Sequence, residues 1–337
     1  MSTLATVPTR TEIAIDWRDA LRTAIRTPSE LLEFLELSPE QCAALEPCAN
    51  EFAQLVPRQF AARMRKGDPD DPLLRQVLPL AQEQEAVAGF ASDPLEEVDA
   101  TRNGVVRKYA GRALLIATAA CPVHCRYCFR RHFPYAEQTA ARDEWQTTVS
   151  TLAEDRQITE VILSGGDPLS LSNRRLGALV KQLDELEHLE TLRIHTRFPI
   201  VLPQRIDTGL LELLAATRLR IVLVIHCNHA QEIDATVVAA VANMRHAGII
   251  VLNQSVLLSG VNDDPDTLVE LSRQLFAAGA LPYYLHELDR VAGAAHFEVE
   301  ASRALELIDA IRSRLPGYLV PRLVREIPGT LSKTILG

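Results

Sequence analysis

From residue 113 onward the apolar positions fall into short runs separated by longer stretches of helical spacing. The runs 114–118, 160–164, 191–196, 220–226, 249–255 and 283–287 are rich in Leu, Ile, Val and aromatic residues and too short for helices. They read as strands buried on both faces. Segments near 142–154, 172–187, 207–216, 231–247, 265–279 and 301–314 instead carry apolar residues three and four apart, the period of an amphipathic helix. This alternation is the sequence form of parallel βα units. Six strands fall short of the eight of a closed barrel. The expected fold is therefore α/β, a partial (β/α)6 barrel with its site at the C-terminal strand ends.

Residues 1–100 have only the helical period. Thr27-Pro28-Ser29-Glu30 precedes Leu31, Leu32, Phe34 and Leu35, which is a helix start followed by an apolar face. A second helix is expected over 39–45 and a third over 48–65, with a loop at Gly67-Asp68-Pro69-Asp70-Asp71-Pro72 and an ordered segment at 72–79. The chain thus divides into a helical extension (1–100), a barrel (101–300) and a C-terminal segment (301–337).

Composition narrows the classes of function. A formal charge of −9 argues against direct binding to nucleic acid, which needs a basic surface. No run reaches the roughly 18 consecutive apolar residues of a membrane span. Met1 to Pro8 lacks a basic stretch followed by an apolar core, so the cytoplasm is the expected compartment. Six cysteines, three of them within eight residues, do not form a disulfide scaffold.

Those three, Cys121, Cys125 and Cys128, are spaced C-x3-C-x2-C directly after the first strand. Three thiolates can ligate three irons of a [4Fe–4S] cluster and leave the fourth iron open to a small molecule. A zinc-binding interaction module with a distant fourth ligand is the alternative. Further polar residues gather at the expected strand ends: Ser164-Gly165-Gly166-Asp167 after the second, His195-Thr196-Arg197 after the third, His226-Cys227-Asn228-His229 after the fourth, and Asn253-Gln254-Ser255 on the fifth. Paired glycines let a backbone approach a ligand closely. Cys42, Cys48 and Cys227 read as structural thiols.

The cysteine triplet with Phe129-Arg130-Arg131, the run Ser164-Gly165-Gly166-Asp167-Pro168, Leu202-Pro203-Gln204-Arg205-Ile206, the stretch 253–263 and Ser332-Lys333-Thr334 together resemble the lysine 2,3-aminomutase family of radical S-adenosylmethionine (SAM) enzymes. The likeness covers roughly 90–337. Residues 128–135 and 317–321 resemble most the branch that supplies (R)-β-lysine for modification of elongation factor P.

The resemblance implies an isomerase that converts (S)-α-lysine to (R)-β-lysine with a [4Fe–4S] cluster, SAM and pyridoxal 5′-phosphate (PLP). It gives Cys121, Cys125 and Cys128 to the cluster, and Ser164, Gly165, Gly166, Asp167, His226 and Gln254 to SAM. Lys333 becomes the PLP lysine and Arg112 a ligand of the PLP phosphate, with Lys108 in place of a second arginine. Arg130 takes the α-carboxylate of L-lysine, a task for a planar bidentate donor. Asp289 and Glu326 take the ε-ammonium, with Glu326 standing where the family usually has aspartate. An electron donor and, functionally, elongation factor P with its lysyl-transferring ligase are the implied partners. Asp264 stands where lysine-degrading relatives have a zinc cysteine, so no structural zinc is expected. A catabolic lysine 2,3-aminomutase and a radical SAM enzyme without PLP are the neighbouring alternatives.

Overall fold

A computed structural model describes residues 16–48, 51–138 and 145–337. The N-terminal segment on which the compartment reading rests, and positions 142–144 of one expected helix, lie outside the described residues.

The barrel is a single sheet whose order follows the chain from β1 to β10 and does not close on itself. β1 (Thr101–Arg102) and β2 (Val105–Tyr109) pair antiparallel and lead into β3 (Arg112–Thr118). Six parallel strands then run as expected: β3, β4 (Glu160–Gly165), β5 (Thr191–Thr196), β6 (Arg220–His226), β7 (Ile250–Val256) and β8 (Leu281–His286). The sheet continues beyond them. β9 (Arg322–Arg325) adds a seventh parallel strand, and β10 (Thr334–Ile335) returns antiparallel against it. β9 escapes sequence reading because it has only four residues, with arginine at both ends and Leu323 and Val324 buried between.

Among the described residues eight short or mid-length helices precede β4: α1 (Trp17–Arg22), α2 (Pro28–Phe34), α3 (Pro39–Leu45), α4 (Arg58–Ala61), α5 (Pro72–Arg75), α6 (Glu97–Ala100), α7 (Tyr135–Gln138) and α8 (Gln146–Ala153). After β4 come α9 (Asn173–Asp184), α10 (Phe198–Val201), α11 (Thr208–Ala215), α12 (Ala235–His246), α13 (Pro265–Ala278) and α14 (Ala301–Arg312). Local chemistry sets their ends. Thr27 caps α2 and Ser38 forms a capping box with Gln41 on α3, each satisfying N–H groups that a helix start leaves unpaired. Asp264, with Pro265 behind it, caps α13 by accepting from Thr267 N at 3.0 Å.

The helix expected over 48–65 is not formed. Positions 49–50 lie outside the described residues; of the rest only 58–61 are helical, because Pro57 biases the residue before it toward extended backbone. Val56 there exchanges both backbone hydrogen bonds with Ile25 (2.8 and 2.9 Å). Cys42 packs at the edge of the core, and half-buried Cys48 accepts from Gln84 Nε2 at 3.0 Å.

The extension is docked, not tethered. Its buried Trp17, Ile25, Leu31, Phe60 and Leu73 belong to the same apolar core as the strands, and Trp17 meets Phe198 of α10 edge to face at 5.4 Å. Polar ties add direction. Glu83, fully buried, accepts from Arg126 (Nε 2.8 Å, Nη2 2.6 Å) and from Arg131 Nη2 at 2.6 Å. Burial pushes the Glu83 carboxyl up, but the two guanidinium groups outweigh it and hold the carboxyl below its usual range. Removing one member of a buried ion pair leaves the other charge uncompensated. Glu83→Gln is expected to destabilise the protein by about 3–5 kcal/mol, read as a lower denaturation midpoint in guanidinium chloride.

Candidate functional site

The three cysteines lie in the loop that leaves β3. Turns fold them together: Cys128 N donates to Cys125 O at 3.1 Å and Arg131 N to Cys128 O at 3.1 Å. The extension grips the same loop, with His124 N on Leu55 O (3.0 Å), His124 Nδ1 on Ala53 O (2.7 Å) and Arg126 N on Gln76 O (2.9 Å). Tyr127, between two of the cysteines, is buried and accepts from Asn228 Nδ2 at 2.7 Å, while Arg197 donates to the same hydroxyl. Burial, reinforced by the neighbouring thiols, pushes the Cys121 thiol well up and the Cys128 thiol to about 11.

Next to this loop stands the turn after β4. Gly165 adopts φ +106°, and a Cβ there would lie 2.8 Å from Thr118 O. A Cβ on Gly166 would lie 2.5 Å from Ala120 O. The paired glycines are thus required by the close approach of the cysteine loop's own backbone, which they bind through Gly166 N to Thr118 O (2.6 Å) and Asp167 N to Ala120 O (2.8 Å). The Asp167 carboxylate faces inward and accepts from Leu169 N, Thr196 Oγ1 and Arg197 N at 2.7–3.0 Å. Burial outweighs these donors and moves it up to about 6. Gly166→Ala is expected to push the cysteine loop outward and to lower the iron bound after anaerobic reconstitution several-fold, with the fold retained by circular dichroism.

A cavity of ≈ 610 Å³ opens from here through the barrel lumen, within the range of pockets that enclose small ligands. It is lined by Cys121, Cys125, Cys128, Arg130, Arg112, Ser164, Gly165, Gly166, Asp167, His226, Gln254, Asp289, Glu326 and Lys333. The lining of this one cavity therefore includes every residue that the resemblance assigns to the cluster, SAM, the PLP lysine and phosphate, or the substrate, Lys108 aside. The cavity is not confined to the C-terminal strand ends, because Arg112 and Arg322 are the first residues of β3 and β9.

Strand register explains several neighbours. His226 and Gln254 are partners across β6 and β7, and their Nε2 atoms lie 2.9 Å apart. Burial, with Arg197 and Arg130 nearby, holds His226 down to about 3. The neutral ring pairs with the Gln254 amide through Nε2. His195 and His286 are likewise held neutral, chiefly by burial. Asn253 and Ser255, one residue either side of Gln254, point away from the cavity and tie down the Cys227 turn (2.8–3.1 Å).

At the other end, β10 places Lys333 beside Glu326. The Lys333 ammonium donates to Glu326 Oε2, and Tyr109 OH donates to Glu326 Oε1 at 2.6 Å. Arg112 lies over the Tyr109 ring at 5.3 Å. The lysine and the carboxylate that the sequence assigned to different partners are here paired with each other. Arg130 is also engaged, in a two-toothed pair with Glu97 (2.6 and 3.0 Å) and with Ser164 Oγ at 2.9 Å.

Residues 115–271 match the radical SAM superfamily. The chain is 48% identical over 322 residues to the L-lysine 2,3-aminomutase of Escherichia coli, covering 95% of this chain and 94% of that one. It is 44% identical to the enzyme of that name from Haemophilus influenzae (95% of both chains) and 33% identical to that from Clostridium subterminale (95% of this chain, 77% of that one). The chain belongs to the L-lysine 2,3-aminomutase family.

A member of this radical SAM family takes a [4Fe–4S] cluster, SAM and PLP, and the residues present fit them. Three thiols share one wall. Among the described residues no three His, Cys, Asp or Glu side chains converge on a single-ion point, which a cluster that spreads its ligands over several irons does not require. The Nε2 atoms of His195 and His286 are buried with no hydrogen-bond partner in the protein, and such atoms call for a ligand or water. Both residues line the cavity.

Glu97 and Tyr109 escape sequence reading of the aminomutase site. Glu97 lies in a segment with no motif, and Tyr109 belongs to a strand with no periodic signal. No helix among the described residues is long and apolar enough to cross a membrane.

Proposed function

We propose that this chain is an L-lysine 2,3-aminomutase that converts (S)-α-lysine to (R)-β-lysine, and that its product serves the modification of elongation factor P. The observation that carries the reading is one cavity holding a three-cysteine wall, a buried arginine and a lysine paired with a carboxylate.

When bound, the cluster and SAM supply a hydrogen-abstracting radical, and PLP supplies the π-system through which nitrogen moves from C2 to C3. Cys121, Cys125 and Cys128 would hold three irons, leaving the fourth to SAM. The 165–167 turn and the neutral His226–Gln254 pair would line the SAM side. Arg112 would neutralise the PLP phosphate, and Lys333 would supply the amine that attaches PLP.

Arg130 would grip the substrate carboxylate, with Asp289 and Glu326 receiving the ε-ammonium. An acidic substrate side chain would meet like charges there. Glu326 is held by Tyr109 whichever ammonium it carries, Lys333's or the substrate's. Leu95, Phe129 and Tyr135 line the cavity as well and limit the water that reaches a reactive intermediate.

The link to elongation factor P is supported by the likeness of 128–135 and 317–321 to that branch. Anaerobic incubation of the reconstituted enzyme with SAM, PLP, a reductant and L-lysine should yield (R)-β-lysine. Adding elongation factor P and its lysyl-transferring ligase should add the mass of that product to the factor. Absence of β-lysine would refute the reaction; β-lysine that the ligase does not transfer would favour a catabolic role.

A further inference from the structure

We infer that Glu97, from the extension outside the barrel, is a positioning residue that sets which edge of Arg130 faces the substrate carboxylate. The inference rests on the reading of Arg130 as the carboxylate clamp. A guanidinium has five N–H donors in a fixed fork. Glu97 occupies the side formed by Nε and Nη2, and Ser164 Oγ takes one donor of Nη1. One N–H on each terminal nitrogen is left for a second carboxylate. Ser164, having accepted from Arg130, retains its own O–H to donate beside them.

Glu97 is itself fixed. Its N–H donates to Asp93 Oδ1 at 3.1 Å, Val98 N donates to Asp93 Oδ2 at 2.9 Å, and Thr101 Oγ1 donates to Glu97 O at 2.6 Å. The backbone of α6 is thereby pinned at both ends, which limits how far the carboxylate can follow Arg130 if the arginine turns. The pair is nearly sealed, with 7% of the Arg130 side chain and 2% of the Glu97 side chain exposed. A buried guanidinium without a counter-charge is strongly disfavoured. Glu97 therefore keeps Arg130 in the cavity wall between turnovers and holds it in one orientation for the next substrate.

A merely structural carboxylate would affect all substrates alike. A positioning one affects those that use the carboxylate clamp. The test compares kcat/KM for L-lysine and for L-lysinamide, which lacks the carboxylate charge, in wild type, Glu97→Gln, Glu97→Asp and Arg130→Gln, with bound iron and sulfide measured in each. Arg130→Gln should lose most of the preference for lysine. Glu97→Gln should lower that preference about 10- to 100-fold, the cost of a small misplacement of a positioning group, and Glu97→Asp should fall between it and wild type.

Should Glu97→Gln not fold, Glu97→Asp decides. Asp93→Asn, which loosens the turn without entering the pair, should move the ratio the same way by a smaller factor. A wild-type ratio in the folded Glu97 variants, with the ratio lost in Arg130→Gln, overturns the inference and leaves the clamp standing. A wild-type ratio in Arg130→Gln overturns the clamp and the inference with it.

Discussion

Cys125→Ala is expected to abolish β-lysine formation and to strip most of the iron and sulfide from the reconstituted protein. The expectation follows from the donor set: the loop offers three thiols on one cavity wall, and two cannot hold three irons. The fold should survive, because Cys125 is only half-buried and packs at the margin of two apolar clusters. Loss of so small a side chain typically costs about 1 kcal/mol, well below the stability of a domain. The checks are iron and sulfide content, product by mass spectrometry, and circular dichroism. Wild-type β-lysine yield in the variant, or native protein that carries zinc and no iron, would contradict the assignment.

Lys333→Ala is expected to lower turnover by at least about three orders of magnitude, as removal of a covalently acting residue commonly does. It should leave the iron content unchanged, since Lys333, just ahead of β10, is paired with Glu326 and not with the cysteine loop. That separation is what makes the variant informative. In wild type, borohydride reduction after loading with PLP should fix a pyridoxyl label on the peptide that contains Lys333, and the variant should take up none there. A label elsewhere in the wild-type protein would move the role to another lysine. The variant also removes the Lys333 ion pair of Glu326 while the Tyr109 bond remains, so a small change in stability accompanies the large change in rate.

What the sequence makes legible is whatever depends on local chemistry. The six long parallel strands were readable from their apolar runs, α2 from the start signal at Thr27, and α3 and α13 from their helical spacing, while the Ser38 and Asp264 caps emerged only in the structure. The cysteine spacing and the Gly165-Gly166 pair pointed to a site, although the physical demand on the glycines comes from the backbone of 118–120.

What escaped depends on contacts between distant segments. β9 has no pattern of its own and exists because Leu323 pairs beside Leu285. Glu97 precedes Arg130 by 33 positions in a stretch that carries no motif. Lys333 and Glu326 were each visible, yet their pairing follows from the β9–β10 register, in which Thr334 stands opposite Arg325. Sequence spacing has no term for that.

The docking of the extension also bears on modularity. A chain started at β1 would keep all ten strands and all three cysteines. It would lose Glu83 and Glu97, the carboxylates on which Arg126, Arg130 and Arg131 rest, and Gln76, which accepts from Arg197 and Asn228. Arg126, Arg130 and Arg131, in and beside the cysteine loop, would then lose these carboxylates. The barrel therefore cannot be exchanged between proteins as a cassette, and a graft or recombination that carries the cysteine loop has to carry the residues from Gln76 to Glu97 with it.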